Sequence, residues 1–191
     1  MRYAILLFCL PACFAQTAAP DGYLPHDLSA GFRYELKLGQ NSYSLGDTPG
    51  YSVRYSYRPL RWLALEAGLE QIPRPIGASV CCEYETNAND ELFLLPFGAR
   101  YVWEPTGGRV RLSLGGGGAY LNHTIGHQNL AEDLVGASGW GGQFVAAGDF
   151  ALTRSGRFRA GVTARYYYIR VGPEVTARIF TVGPEFAFSF R

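Results

Sequence analysis

Residues 158–168 read Phe158-Arg159-Ala160-Gly161-Val162-Thr163-Ala164-Arg165-Tyr166-Tyr167-Tyr168. Apolar or aromatic side chains hold every even position, and Arg159, Gly161, Thr163 and Arg165 stand between them. A β-strand sends successive side chains to opposite faces, so the stretch predicts a strand with one greasy and one ionic face. Working outward, the same period of two returns seven times. Strand one sets Leu28, Ala30, Phe32, Tyr34, Leu36 and Leu38 against Ser29, Gly31, Arg33, Glu35 and Lys37. Strand two sets Tyr51, Val53, Tyr55 and Tyr57 against Ser52, Arg54, Ser56 and Arg58 and stops at Pro59-Leu60. Strand three sets Leu63, Leu65, Ala67 and Leu69 against Ala64, Glu66, Gly68 and Glu70.

Strand four places Phe93, Leu95, Phe97, Ala99, Tyr101 and Trp103 opposite Pro96, Gly98, Arg100 and Glu104. Strand five places Val110, Leu112, Leu114 and Tyr120 opposite Arg109, Arg111, Ser113 and Ala119. Strand six, from about residue 139 to 152, carries Trp140, Phe144, Ala146, Phe150 and Leu152 against Gln143, Ala147 and Asp149. The last strand carries Phe180, Val182, Phe186, Phe188 and Phe190 against Thr181, Glu185, Ala187 and Ser189. Pro59, Gly107 and Gly156 mark tight turns, and longer polar stretches lie between them: 39–50, 72–90, 122–138 and a shorter 171–176. This alternation of short and long connections predicts an all-β, eight-stranded antiparallel up-and-down barrel that spans a membrane, with short periplasmic turns and longer extracellular loops. Pro96 and Pro184 fall inside strands, where each predicts a bulge or a locally unpaired position.

Composition agrees. Aromatics at 15% and 24 glycines, with a single Met, favour strands and turns over helices. The net charge of +1 gives no nucleic-acid signal. Arg2, the apolar run from Tyr3 to Leu10 and Ala15 read as a signal peptide over 1–15, followed by a periplasmic lead-in over 16–27 and the barrel over 28–191. A lipoprotein signal is the other reading, since Leu10-Pro11-Ala12-Cys13 resembles a lipobox. Cleavage at Ala15 leaves Cys81 and Cys82, which as neighbours make a strained bridge at best. A metal site there would have only Glu83, Glu85 and Asp90 to add, and no metal or cofactor is expected.

In lipid every backbone polar group must pair within the protein, which closure of the sheet achieves. The apolar faces then meet hydrocarbon. Tyr57, Tyr101 and Trp103 near the turns, and Tyr120, Trp140 and Tyr168 near the loops, are expected to form aromatic girdles. The opposite faces carry Arg33, Glu35, Arg54, Glu66, Glu70, Arg100, Arg111, Asp149, Arg159, Arg165 and Glu185, expected to fill the lumen as a paired network rather than an open pore or an ion pathway. Gly115 to Gly118 lack the Gly-Lys-Ser/Thr of a phosphate loop and are read as lumen glycines that relieve crowding.

The eight alternating segments and the final Phe186, Phe188 and Phe190 resemble the small outer-membrane barrels of the OmpA/OmpX type. That resemblance implies a bacterial outer-membrane location, and contact with outer-membrane lipids and lipopolysaccharide. It also implies insertion by the barrel-assembly machinery, which reads the C-terminal aromatics. Family members usually end on the aromatic, whereas here Arg191 follows Phe190. A monomer with a structural or surface-interaction role is expected. Two other readings stand beside it. A lipid A deacylase-like enzyme could use His123, Thr124 and His127, although Asn122-His123-Thr124-Ile125 lacks that family's His-x-Ser. A secreted lipocalin-like binder would turn the faces inside out.

Overall fold

The computed structural model describes residues 23–37, 48–76, 88–105, 109–127, 135–172 and 175–191. The signal segment, the lead-in before Tyr23, Cys81, Cys82 and Gly107 lie outside the described residues. The strands are β1 (His26–Lys37), β2 (Thr48–Leu60), β3 (Leu63–Ile76), β4 (Ala88–Trp103), β5 (Val110–His127), β6 (Val135–Ala151), β7 (Phe158–Arg170) and β8 (Thr176–Phe190). Each pairs antiparallel with its sequence neighbour, and β1 pairs with β8 from His26↔Phe190 to Lys37↔Ile179, closing the barrel. Closure leaves the sheet without an edge, as a chain in hydrocarbon requires.

The faces fall as the alternation predicts. Leu65, Leu114 and Val162 are 46%, 53% and 54% exposed on the outside, while Glu66, Arg111 and Arg165 are 6%, 8% and 2% exposed within. A lipocalin has the reverse arrangement, so that reading is overturned.

Boundaries differ from expectation mostly at the loop end. Much of the stretch expected as a loop over 122–138 is strand, with Asn122↔Ser138, His123↔Ala137 and Thr124↔Gly136 in register. Likewise β3 and β4 pair out to Ile76↔Ala88, inside the expected loop over 72–90. These extensions alternate without a greasy face, so the hydrophobic period that marks the membrane-crossing part is missing there. The β7–β8 hairpin instead turns back at once after Arg170↔Thr176, with the Val171 amide donating to the Val175 carbonyl at 2.9 Å. At the other end, Pro59 is not the turn itself. A register shift falls between Tyr57 and Leu60, and Arg61-Trp62 makes the reversal before Leu63. Gly156 has φ of 69°, the left-handed conformation that glycine adopts without penalty.

Neither strand proline makes a bulge. Ala67↔Phe97 and Glu70↔Leu94 keep one register on either side of Pro96, as do Gly31↔Glu185 and Tyr34↔Val182 around Pro184. Pairing simply lapses on one side of each proline, as a residue without N–H demands. The Arg33 guanidinium fills the second lapse from inside, donating to the Phe32 carbonyl at 3.0 Å and the Pro184 carbonyl at 3.5 Å.

Alternation also corrects the glycine run. Gly115 and Gly117 face the lumen, but Gly116 and Gly118 face out, and the Phe97 ring lies over Gly118 so closely that a Cβ there would enter it. Gly117 sits against Gly98 and the Phe97 carbonyl with no room for a Cβ, so close approach of β4 and β5 fixes glycine at that position.

Candidate functional site

Every described inward position contributes to a lumen built in three tiers. Nearest the turns, Asp27 accepts from Arg111 Nη1 at 3.0 Å and from the Ser189 hydroxyl. Glu104 accepts from Arg58 Nη1 at 2.9 Å and Arg111 Nε at 3.1 Å, and Arg159 pairs with Asp149. Arg58 also anchors the lead-in, donating to the Leu24 carbonyl at 2.7 Å, while the Tyr23 hydroxyl donates to the Arg58 carbonyl at 2.8 Å. Burial holds the Tyr23 phenol above its ordinary range, against the pull of the nearby Arg58 guanidinium.

The middle tier is ionic and buried. Glu66 takes Arg54 Nη1 at 3.1 Å, Arg165 Nη1 at 3.1 Å and Arg100. Glu70 takes Arg33 Nε at 3.3 Å, Arg165 Nε at 3.2 Å and the Thr181 hydroxyl at 2.9 Å. Glu185 takes Arg33, Arg54 and the Thr163 hydroxyl at 3.0 Å. Each carboxylate thus serves more than one arginine, and each arginine here except Arg100 bridges two carboxylates. Charges this far from water are tolerated only when so paired. Among the described side chains the lumen charges balance: Arg33, Arg54, Arg58, Arg100, Arg111, Arg159 and Arg165 face Asp27, Glu35, Glu66, Glu70, Glu104, Asp149 and Glu185.

The third tier, toward the loops, departs from the expected charge network. Ile72, Leu92, Leu94, Ala119, Leu121, Tyr167, Ile169, Ala177 and Ile179 form a fully buried apolar plug inside the barrel. The Tyr167 hydroxyl lies beside the Glu70 carboxylate at the boundary between the tiers. The plug packs this part of the lumen with apolar side chains drawn from β3, β4, β5, β7 and β8.

All eleven residues expected in the network face the lumen; the Lys37 side chain lies outside the described residues. Three members were missed. Asp27 was assigned to the lead-in, although it continues the parity of Ser29, Gly31 and Arg33; Arg58 and Glu104 lie on the inward faces already read, each beside a proline. The plug was missed because Leu94 and Tyr167 sit between outward apolar neighbours, and a run apolar on both parities hides which side chain points in.

Tyr57, Tyr101 and Trp103 face outward at the turn end, where Trp62 joins Tyr101 with ring centroids 6.4 Å apart. Tyr120, Trp140 and Tyr168 face outward toward the loops, the first two 4.8 Å apart. Phe186, Phe188 and Phe190 share the outer face of β8, Phe188 touching the Phe158 ring at 5.0 Å. His123 faces the lumen at 5% exposure, and Thr124 therefore faces the opposite side of β5, so the two do not meet as base and nucleophile. The His127 side chain lies outside the described residues.

No family profile and no curated protein sequence matches the chain. Solved structures do. Neisserial surface protein A aligns at a TM-score of 0.60 and 17% identity, over 86% of this chain and 97% of its own. Ail, the attachment invasion locus protein of Yersinia pestis, solved with the heparin analogue sucrose octasulfate, aligns at 0.58 and 14%, over 87% and 100%. The N-terminal β-barrel domain of Pseudomonas aeruginosa OprF aligns at 0.54 and 14%, over 86% and 98%. The shared feature is the fold, that of the small eight-stranded outer-membrane barrel.

Proposed function

We propose that the chain is an integral, single-barrel protein of the bacterial outer membrane with a structural or surface-contact role, and that it does not conduct solutes. The packed middle and loop side of the lumen carry this reading: paired charges occupy the middle tier and the apolar plug lies beyond it. The outer surface supports the location, since its exposed side chains between the two aromatic groups are mostly apolar, with Val53, Leu65, Leu114 and Val162 beside the rings of Phe97 and Phe144. Outer-membrane lipids and lipopolysaccharide are its surroundings, the girdles set its depth, and Phe186, Phe188 and Phe190 serve as its insertion signal for the barrel-assembly machinery. Work then falls to the loop end, which meets the exterior. Planar bilayers test the proposal: purified barrel should raise insertion noise but no steady ohmic step. A reproducible single-channel conductance would overturn it.

A further inference from the structure

The chain's charge is sorted along the barrel axis. With the described lumen charges paired off, the turn end still carries Arg61, Arg109, Arg154, Arg157 and Arg191. Among the described residues, no Asp or Glu side chain outside the lumen stands at that end. Among the described side chains the acidic one outside the lumen is Glu91, on the loop-end part of β4. A cavity of about 990 Å³ opens among the turns, and Arg58, Arg61, Arg109, Arg111, Arg154 and Arg159 line it. Glu104 is the lone carboxylate among the lining residues, and it is engaged by Arg58 and Arg111. Asp149 and Asp27 answer Arg159 and the same pair from deeper in. Arg61, Arg109 and Arg154 are therefore surplus cations. They are exposed, and Arg61 rests over the Tyr23 ring at 5.8 Å.

The cavity wall is amphipathic as well as basic, because Trp62, Tyr101 and Trp103, which face outward, complete it. Guanidinium forks match phosphate oxygens in geometry and charge, and outward rings suit the level where headgroups meet acyl chains. We propose that this vestibule binds the phosphate of an anionic phospholipid from the leaflet beside the turns, with its acyl chains following the aromatic face outside. The proposal rests on the membrane reading above.

The test uses the full barrel inserted into nanodiscs of equal phosphatidylcholine and phosphatidylglycerol, released and weighed by native mass spectrometry. Heat-modifiable gel mobility is scored first; failure of the wild type there defeats the membrane reading itself, separately from the site. Wild type should retain phosphatidylglycerol several-fold above its share. The R61S/R109S/R154S variant should lose roughly fivefold per arginine removed, and a loop-end R170S/R178S control should lose nothing. Should the triple variant not fold, R61S alone carries the reading. Equal retention of both lipids, or retention unchanged in the arginine variants, overturns the proposal. A preference that emerges only in D21N overturns it too, since the chain's own carboxylate would then occupy the site. Phosphorus NMR titration with inorganic phosphate in zwitterionic micelles separates the other source. Saturable binding lost in the triple variant, without lipid retention, would assign the site to a soluble phosphate compound and overturn the lipid assignment.

Discussion

Replacing Glu66 by Gln probes the middle tier most directly. The side chain is 1% exposed and meets Arg54, Arg165 and Arg100. The amide is nearly isosteric, so volume and packing stay while one negative charge leaves a lumen balanced between arginines and carboxylates. Removing one partner of a buried pair costs about 3–5 kcal/mol; because Gln Oε1 still accepts from an arginine, the lower end of that range applies. With a urea slope of about 2 kcal/mol per M, the unfolding midpoint in detergent should fall by about 1.5 M, read by the heat-modifiable band or Trp fluorescence. The compensated E66Q/R100Q variant should recover part of the loss. Arg100 is the arginine to pair with it, since its remaining polar contact is the Ser113 hydroxyl at 3.3 Å and its Nε has no hydrogen-bond partner. A loss under about 1 kcal/mol, the range of solvent-exposed pairs, or no recovery in the double variant, would mean charges screened by water and refute the account of a buried, mutually paired network.

Two further outcomes are expected. Gly117→Ala drives a Cβ into the Phe97 carbonyl and should cut the yield of heat-modifiable barrel severely, whereas Gly142→Ala, whose nearest atom would be 3.7 Å away, should refold as wild type; equal yields would sink the close-approach argument. Phe188→Ser and Phe190→Ser together should lower outer-membrane insertion in cells while in-vitro refolding into detergent changes little, and unaltered insertion would remove the signal role.

How far the sequence reached can be traced to particular residues. Where a greasy face borders lipid, as in Phe158 to Tyr168 or Leu63 to Leu69, alternation located strand, face and role together. Where the strand leaves the hydrocarbon, as from Asn122 to His127, neither face needs to be apolar and only ladder pairing marks the element. Inside the barrel the period of two tells which side chains point in, but not which ones meet. The pairing of Glu66 with Arg165, on strands opposite each other across the lumen, depends on the diameter and stagger that closure sets. The apolar plug lay beyond reach for the same reason: Ile72, Leu121 and Ile179 come from separate strands and become one cluster only when the cylinder forms.

The β5–β6 hairpin climbs on past Tyr120↔Trp140 to Ile125↔Val135, while β7 and β8 reverse just beyond Arg170↔Thr176. Five further residues at about 3.4 Å each, leaning with the strands, lift that flank roughly a dozen ångströms above its neighbour. Among the described residues, the strand ends on the outer side therefore rise in a slope and not in a level ring.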